Sequence, residues 1–405
     1  MPEEGDINGY GGEIKMKAVM EASHAISEAV KAVKPQVVAA YPITPQTHIV
    51  ERLSEFAANG EISAEYIRVE SEFAAISACY GSSATGVRSY TATCSQGLAL
   101  MNEMLFIVSG MRMPVCMTVV NRALSAPINI WNDQQDSISA RDAGWIQMYA
   151  ETSQECYDLT LMQFAISEDK RVLTPSMVCL DGFTLSHVYE PVDIPTQEQV
   201  DKFLPPYTPT HAILDPAQPL TLGAIGFPSE YMEIRRSQVD AIENSLAVIE
   251  EVYKKFSDAF PVQIKDSRPA RYGHVEEYRM EDAEIVFVAL GSVCGTIKVV
   301  IDELRAKGEK VGLMKLITYR PFPRNAIRKA LKNAKKVAIL EKAISPGGDG
   351  PLYCEMAGTF IGEKNIPALR SFIIGLGGRD VNLDHIKKIY EMTKEGKGDK
   401  QQWMF

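Results

Sequence analysis

Nine polar residues in the first half of the chain lie in or beside short loops that follow apolar runs: Thr44, Glu70, Glu72, Ser95, Gln96, Arg122, Asn129, Asp133 and Asp136. An arginine together with a hydroxyl suits a small carboxylate. The planar guanidinium grips it in a fork, and the hydroxyl adds a donor. Glu72, followed by Phe73, Ala74 and Ala75, is a candidate for a partly desolvated carboxylate that holds a proton or accepts a strong hydrogen bond. Taken singly, each of the nine reads as an ordinary surface or capping group. Their shared position at the ends of apolar runs gives the set its weight.

Other chemistries lack their residues. The chain has no G-x-S-x-G elbow, no H-E-x-x-H and no G-x-x-x-x-G-K-[ST]. His24, His48, His187, His211, His274 and His385 stand singly and read as structural. Cys79, Cys94, Cys116, Cys156, Cys179, Cys294 and Cys354 form no C-x2-C pair. They are expected to be reduced and mostly buried, with no cluster or structural zinc in this chain. Gly291-Ser292-Val293-Cys294-Gly295 and Gly375-Leu376-Gly377-Gly378 each follow a strand-like run, but neither completes a dinucleotide fingerprint. Both read as tight strand–helix turns.

Strands and helices in alternation must carry these residues. Val19, Ala22, Ile26, Val30 and Val33 recur at helical spacing, and Pro35 ends that helix. Residues 37–40 form a short apolar strand running into Tyr41-Pro42-Ile43-Thr44-Pro45, where two prolines forbid a continuing central strand. Strands are expected at 66–69, 89–93, 114–120 and 172–180. Ser71 caps a helix over 72–81, Ser95-Gln96-Gly97 is a turn, and residues 98–108 are an apolar helix. Such alternation implies a parallel sheet covered on both faces, whose ligands bind at the carboxyl ends of the strands.

Seven of the 22 prolines lie between Pro191 and Pro219, an ordered but irregular connector. A long helix follows, with Val239, Ile242, Leu246, Ile249, Val252 and Phe256 on one stripe. A second α/β unit has strands at 284–290, 311–316, 336–340 and 369–374, and the polar tail 394–402 is expected to be mobile. The expected division is an N-terminal extension (1–16), a first domain (17–255, with its connector at 191–228 and the linker helix) and a smaller second domain (280–395). A 405-residue chain has room for two such cores. Its net charge of −10, without a basic block, speaks against nucleic-acid binding. No apolar run approaches a membrane span and the acidic start is not a signal peptide, so a cytoplasmic chain is expected.

Several long motifs in order resemble those of the 2-oxoacid:ferredoxin oxidoreductases, most nearly the α subunits of the pyruvate synthase (pyruvate:ferredoxin) type. They are Tyr41-Pro42-Ile43-Thr44-Pro45, Arg68-Val69-Glu70-Ser71-Glu72, Cys94-Ser95-Gln96-Gly97 and Asn121-Arg122-Ala123-Leu124-Ser125-Ala126-Pro127. Leu180-Asp181-Gly182-Phe183, Tyr319-Arg320-Pro321-Phe322-Pro323 and Gly375-Leu376-Gly377-Gly378-Arg379-Asp380 continue the match. The resemblance implies a thiamine-diphosphate-binding domain of the pyrimidine type, then a transketolase-C-terminal-like α/β domain. It implies a subunit active only in a complex that interconverts pyruvate, coenzyme A and oxidised ferredoxin with acetyl-CoA, CO2 and reduced ferredoxin. The diphosphate and Mg2+ would be held by a β subunit and [4Fe–4S] clusters by partner subunits, with β, γ and δ chains forming a hetero-complex that dimerises. By the same resemblance Glu72 meets N1′ of the cofactor's aminopyrimidine, Pro42 lines the cofactor, and Thr44 and Arg122 bind the substrate carboxylate. A 2-oxoisovalerate-specific α subunit is the alternative, because a carboxylate anchor reads only what all these substrates share. A non-catalytic scaffold subunit is a lesser one. Gly348-Asp349-Gly350 is similar to the diphosphate motif of thiamine enzymes but lacks its asparagine at the required distance, so it reads as a turn and no metal site is assigned. The loop from Ser125 to Asp136 is expected at or beside a subunit interface.

Overall fold

Short runs rich in Val, Ile and Ala are buried on both faces in parallel sheets, and the longer segments between them have the helical period needed to cover those faces. The computed structural model describes residues 16–211 and 213–405 and realises this alternation. Its strands are β1 (Met16–Glu21), β2 (Val37–Ala40), β3 (Glu65–Arg68), β4 (Ser89–Thr93), β5 (Cys116–Asn121), β6 (Ile146–Tyr149), β7 (Ser176–Asp181), β8 (Tyr189–Ile194), β9 (Val275–Tyr278), β10 (Ile285–Ala289), β11 (Val311–Leu316), β12 (Thr318–Arg320), β13 (Lys336–Glu341), β14 (Ala368–Ile373) and β15 (Gln401–Trp403).

The first sheet has the order β12-β6-β7-β5-β4-β2-β3 and is parallel except for its edge strand β12. Every residue of β4, β5 and β7 is buried. The second sheet, β15-β14-β13-β10-β11-β9, is parallel except for β9. β12 comes from the second half of the sequence yet pairs with β6, so Thr318, Tyr319 and Arg320 stitch the two halves together.

Several local expectations change. Val19 is not on the first helix; it lies exposed on β1, which pairs antiparallel with β8 from Met16 opposite Ile194, and the helix begins at Ala22. The described part of the expected extension 1–16 is therefore a strand residue, and residues 1–15 lie outside the described residues. The turn expected at 95–97 is the first turn of a helix, Ser95–Leu100, and Met101 joins it to a second helix, Asn102–Gly110, in place of one helix over 98–108. The Pro-rich connector is irregular only from Leu204 onward; before that it forms β8 and a helix, Gln197–Phe203, with a capping box built on Thr196 and Gln199. The long helix spans Tyr231–Ala259, but its buried stripe runs through Gln238, Ala241, Ser245, Val248, Ile249, Val252 and Phe256, which leaves Val239 exposed. The tail is ordered: the last helix runs to Glu395, and Gln401–Trp403 adds a parallel edge strand to β14.

Six of the seven cysteines are buried as free thiols and Cys354 is exposed. Among the described residues no helix is long and apolar enough to cross a membrane. Where the two halves meet, buried Lys315 lies 2.7 Å from Glu151, 2.6 Å from Glu155 and 2.5 Å from Glu276, and Lys298 bridges Glu151 and Glu276. These three carboxylates sit close enough together to ligate a cation, and a lysine ammonium supplies that charge.

Candidate active site at the strand ends

The carboxyl ends of β5, β4, β2 and β3 are neighbours in the sheet, and each delivers one of the predicted residues. Arg122 follows β5, Ser95 follows β4, Thr44 lies beyond β2, and Glu72 opens the helix Glu72–Ser83 after β3. That helix starts where it does because Ser71 caps it, its hydroxyl accepting from the Ala74 amide at 3.2 Å. Gln46 anchors the Thr44 loop: its Nε2 donates to Ala92 O on β4 at 2.8 Å, and its Oε1 accepts from Ile43 N.

Thr44 and Arg122 meet directly. Arg122 is 7% exposed; its Nη1 donates to the Thr44 carbonyl at 2.8 Å and its Nε to the Asn129 carbonyl at 3.0 Å. These bonds use two of the five guanidinium donors and leave part of the fork to grip an anion. The Thr44 partner is its main chain; its hydroxyl makes no hydrogen bond among the described residues, and the residue is exposed, as is Pro42. The Cys94 thiol donates to the same Thr44 carbonyl at 3.2 Å, and burial pushes its pKa well up, so it stays protonated.

Glu72 is also 7% exposed, and its carboxylate has no hydrogen-bond partner among the described residues. It lies against Gly97: a Cβ there would stand 2.6 Å from Glu72 Oε1 and 2.4 Å from Thr93 Oγ1, itself a buried hydroxyl without a partner among the described residues. The Glu72 and Thr93 side chains fill the space over Gly97, and both leave hydrogen-bonding capacity unused among the described residues. A nearly buried acceptor carboxylate is what an aminopyrimidine ring requires, so these residues fit thiamine diphosphate. Gly97 had a readable signal, a glycine in the first helical turn after a strand end, where the lack of a side chain leaves room for Glu72 and Thr93.

Asp136 ties the ends of β4 and β5 together. One carboxylate oxygen accepts from the amides of Ser95 at 2.8 Å and Arg122 at 3.0 Å; the other accepts from Asn121 Nδ2 at 2.7 Å and from Ser137 N. Ser95 has φ +45°, a left-handed conformation that a non-glycine residue adopts only when its surroundings impose it. Here the Asp136 bond and the Ser95 Oγ bond to Ala123 O at 2.6 Å impose it. Burial pushes the Asp136 carboxyl up to about 7 against the pull of these donors. A carboxyl raised above its unfolded value near 3.9 contributes stability that is fully present below that value and lost as pH rises through 7. Asp136→Asn cannot ionise. Its urea stability should therefore fall less between pH 5 and 8 than the parent's, by at most about 1.4 kcal/mol per pH unit, the one-proton limit. Parallel slopes for the two proteins would refute the assignment.

The remaining candidates separate. Gln96 Oε1 accepts from Ser125 N at 2.9 Å and braces the loop, whereas Glu70 is exposed and makes no side-chain bond among the described residues. Asn129 and Asp133 face the second half of the chain: Asn129 Nδ2 donates to Gly377 O at 3.0 Å, and Asp133 Oδ2 accepts from Gly377 N at 3.2 Å. Both glycine turns are thus filled from the first sheet. Asp181, at the end of β7, accepts from Ser292 N at 3.0 Å and Ser292 Oγ at 2.5 Å, pairs with Lys342 at 2.9 Å and accepts from Gln134 at 3.2 Å. Lys342 helps hold the Asp181 carboxyl below its usual range despite burial. Asp181 and Ser292 stood in motifs read from the sequence, but the pairing of Asp181 with Ser292, Lys342 and Gln134 is not legible there, because nothing local marks a carboxylate as the plug of a distant turn. Gly348-Asp349-Gly350 leads into the helix Pro351–Thr359, and a Cβ at Gly350 would stand 2.0 Å from Glu341 Oε1, so close packing explains that glycine. The loop from Ser125 to Asp136 is half free: its far end packs on the Gly375–Gly378 turn, while Ile128 is 79% and Trp131 53% exposed.

Comparison with known proteins gives the family of the chain. Residues 28–254 match the family model described as pyruvate flavodoxin/ferredoxin oxidoreductase, thiamine diphosphate-binding, and residues 283–386 match pyruvate:ferredoxin oxidoreductase core domain II. The chain is 50% identical over 386 residues to pyruvate synthase subunit PorA of Pyrococcus furiosus, covering 94% of this chain and 96% of that one. It is 51% identical over 376 residues to the subunit of the same name in Methanothermobacter thermautotrophicus, with 93% and 95% covered. Ketoisovalerate oxidoreductase subunit VorA of Pyrococcus abyssi is 42% identical over 380 residues, 94% of each chain. A solved 2-oxoglutarate:ferredoxin oxidoreductase from Magnetococcus marinus shares the fold at a TM-score of 0.72 and 20% identity; the match covers 93% of this chain and 65% of that one. With the strand-end site built as described and both halves of the sequence matched, this chain belongs to the pyruvate flavodoxin/ferredoxin oxidoreductase family.

Proposed function

We propose that the chain is the α subunit of a thiamine-diphosphate-dependent pyruvate synthase, interconverting pyruvate, coenzyme A and oxidised ferredoxin with acetyl-CoA, CO2 and reduced ferredoxin. One observation carries this reading: Arg122, braced on the Thr44 and Asn129 carbonyls, stands in the same row of strand ends as a nearly buried Glu72, and among the described residues the carboxylate is unpaired and guanidinium donors remain free. Residues 17–255 act as the pyrimidine-binding domain and 280–395 as the transketolase-C-terminal-like domain.

Thiamine diphosphate, when bound, supplies a thiazolium carbon that adds to the keto group and accepts the electrons left by decarboxylation. The chain's own work is binding and orientation. Arg122 and the Thr44 hydroxyl hold the substrate carboxylate, with the Asn129 and Thr44 carbonyls fixing the guanidinium plane. Glu72 accepts a hydrogen bond from N1′ of the aminopyrimidine and favours the protonated ring, and Pro42 lines the cofactor. Asp136 fixes the backbone on which Ser95 and Arg122 sit.

A β subunit holds the diphosphate and Mg2+, γ and δ subunits complete a dimeric hetero-complex, and [4Fe–4S] clusters in partner subunits pass electrons to ferredoxin in the cytoplasm. The exposed Ile128 and Trp131 of the loop from Ser125 to Asp136 suit contact with such a partner. A 42%-identical ketoisovalerate oxidoreductase subunit makes a branched 2-oxoacid the second reading. The purified complex should reduce viologen with a kcat/KM for pyruvate at least about tenfold above that for 2-oxoisovalerate, a difference of about 1.4 kcal/mol. The reverse order would assign the branched substrate.

A further inference from the structure

The substrate arginine is braced through a loop that the second half of the chain holds from behind. Arg122 Nε donates to the main-chain carbonyl of Asn129, and the Asn129 side chain donates to Gly377 O at 3.0 Å. Asn129 Oδ1 also accepts from Trp131 N at 2.7 Å, which closes a tight turn around the same residue. Gly378 N donates to Asn132 O at 2.6 Å and Gly377 N to Asp133 Oδ2 at 3.2 Å, so three hydrogen bonds clamp the loop to the turn after β14.

The fit leaves no slack. A Cβ at Gly377 would lie 2.5 Å from Asn129 Nδ2, and one at Gly378 would lie 2.4 Å from Trp131 Cβ. Both glycines have positive φ, +59° and +79°. On the other side residues 125–128 are exposed and the Gln96 bond to Ser125 N is the brace. The clamp is thus a second brace, opposite the open face, and it lies one residue from the guanidinium it steadies.

We infer that Asn129 is a positioning residue for substrate binding: latched to Gly377 of the second domain, it sets the plane of the Arg122 guanidinium and so the affinity for the 2-oxoacid carboxylate. This deepens the proposed function and rests on Arg122 being the carboxylate anchor. It also gives the second domain a part in substrate affinity, although none of its residues need touch the substrate.

Asn129→Asp is the sharpest test. It keeps the main-chain carbonyl for Arg122 and an oxygen for Trp131 N, and replaces the donor to Gly377 O with an acceptor that repels it; the charge it also adds is controlled for by the neutral Gly377→Ala. In the assembled enzyme the KM for pyruvate should rise about five- to tenfold, with kcat at saturating pyruvate within about twofold and the KM for coenzyme A unchanged, because a misaimed fork weakens ground-state binding. Gly377→Ala, which presses a methyl group onto the same amide, should give the same split. Made together with Arg122→Lys, Asn129→Asp should add less than about twofold to the loss, since its effect passes through the guanidinium. An unchanged pyruvate KM in both single variants, or full additivity in the double variant, would overturn the latch and leave the Arg122 assignment standing. No rise in KM from Arg122→Lys alone would instead remove the reading on which the latch rests.

Discussion

Replacing Glu72 by glutamine should lower kcat of the assembled enzyme at least about 100-fold, equivalent to about 2.7 kcal/mol of barrier, while assembly and cofactor binding persist. Glutamine is isosteric, so the contact with Gly97 and the helix beginning at residue 72 are retained. What is lost is the charge. Glu72 has no hydrogen-bond partner among the described residues, so the whole acceptor strength of the carboxylate is available to a ring nitrogen. A hydrogen bond to an ionised acceptor is roughly twice as strong as a neutral one, and a positioned acid or base is worth about 10²–10⁴ in rate. Steady-state kinetics, with calorimetric titration of thiamine diphosphate into the variant, separate loss of chemistry from loss of binding. A fall of less than about tenfold would show that the carboxylate is not the group that holds the protonated ring.

Arg122→Lys should raise the KM for pyruvate at least about 30-fold with kcat within about fivefold of the parent. The guanidinium reaches the Asn129 and Thr44 carbonyls from different nitrogens and still has donors for a carboxylate. A lysine carries one nitrogen on a flexible stem, so it cannot hold both carbonyls and grip two carboxylate oxygens in a plane. Thirty-fold is about 2 kcal/mol, within the range of roughly 1.5–3 kcal/mol for a hydrogen bond to a charged group. Thr44→Val should cost less: the Arg122 brace uses the Thr44 carbonyl, which the substitution leaves in place, and only one hydroxyl donor is removed. A KM unchanged in Arg122→Lys would mean that the carboxylate is held elsewhere.

Much of this site could be read from the sequence because its parts are local. The run at 37–40 must be a strand, and the prolines at 42 and 45 must end it. Ser71 before an alanine-rich segment must cap a helix, which puts Glu72 in its first turn. A parallel sheet then requires that all such strand ends face one way. Residue type supplied the chemistry: a guanidinium, a hydroxyl and a carboxylate with apolar neighbours. The boundaries that shifted lay where local signals compete. Val19 fits a helical stripe, yet pairing with β8 satisfies the backbone of residues 16–21, a gain that depends on a segment more than 160 residues away.

The sequence alone thus determined which elements form and which reactive side chains their ends present, since periodicity, capping and proline geometry act within a few residues. Tertiary structure alone decided how those side chains are used. A glycine turn after a strand has the same local sequence whether it cradles a phosphate or receives a carboxylate from the same chain. Here Asp181 and Asp133 take those amides across 111 and 244 residues. Lys315 could have been a surface charge until three glutamates from distant segments closed around it. Asp136 became the tie between two strand ends because burial and four donors converge on it. Hydrogen bonding and desolvation belong to a residue's neighbours in space, and those neighbours exist only once the chain has folded.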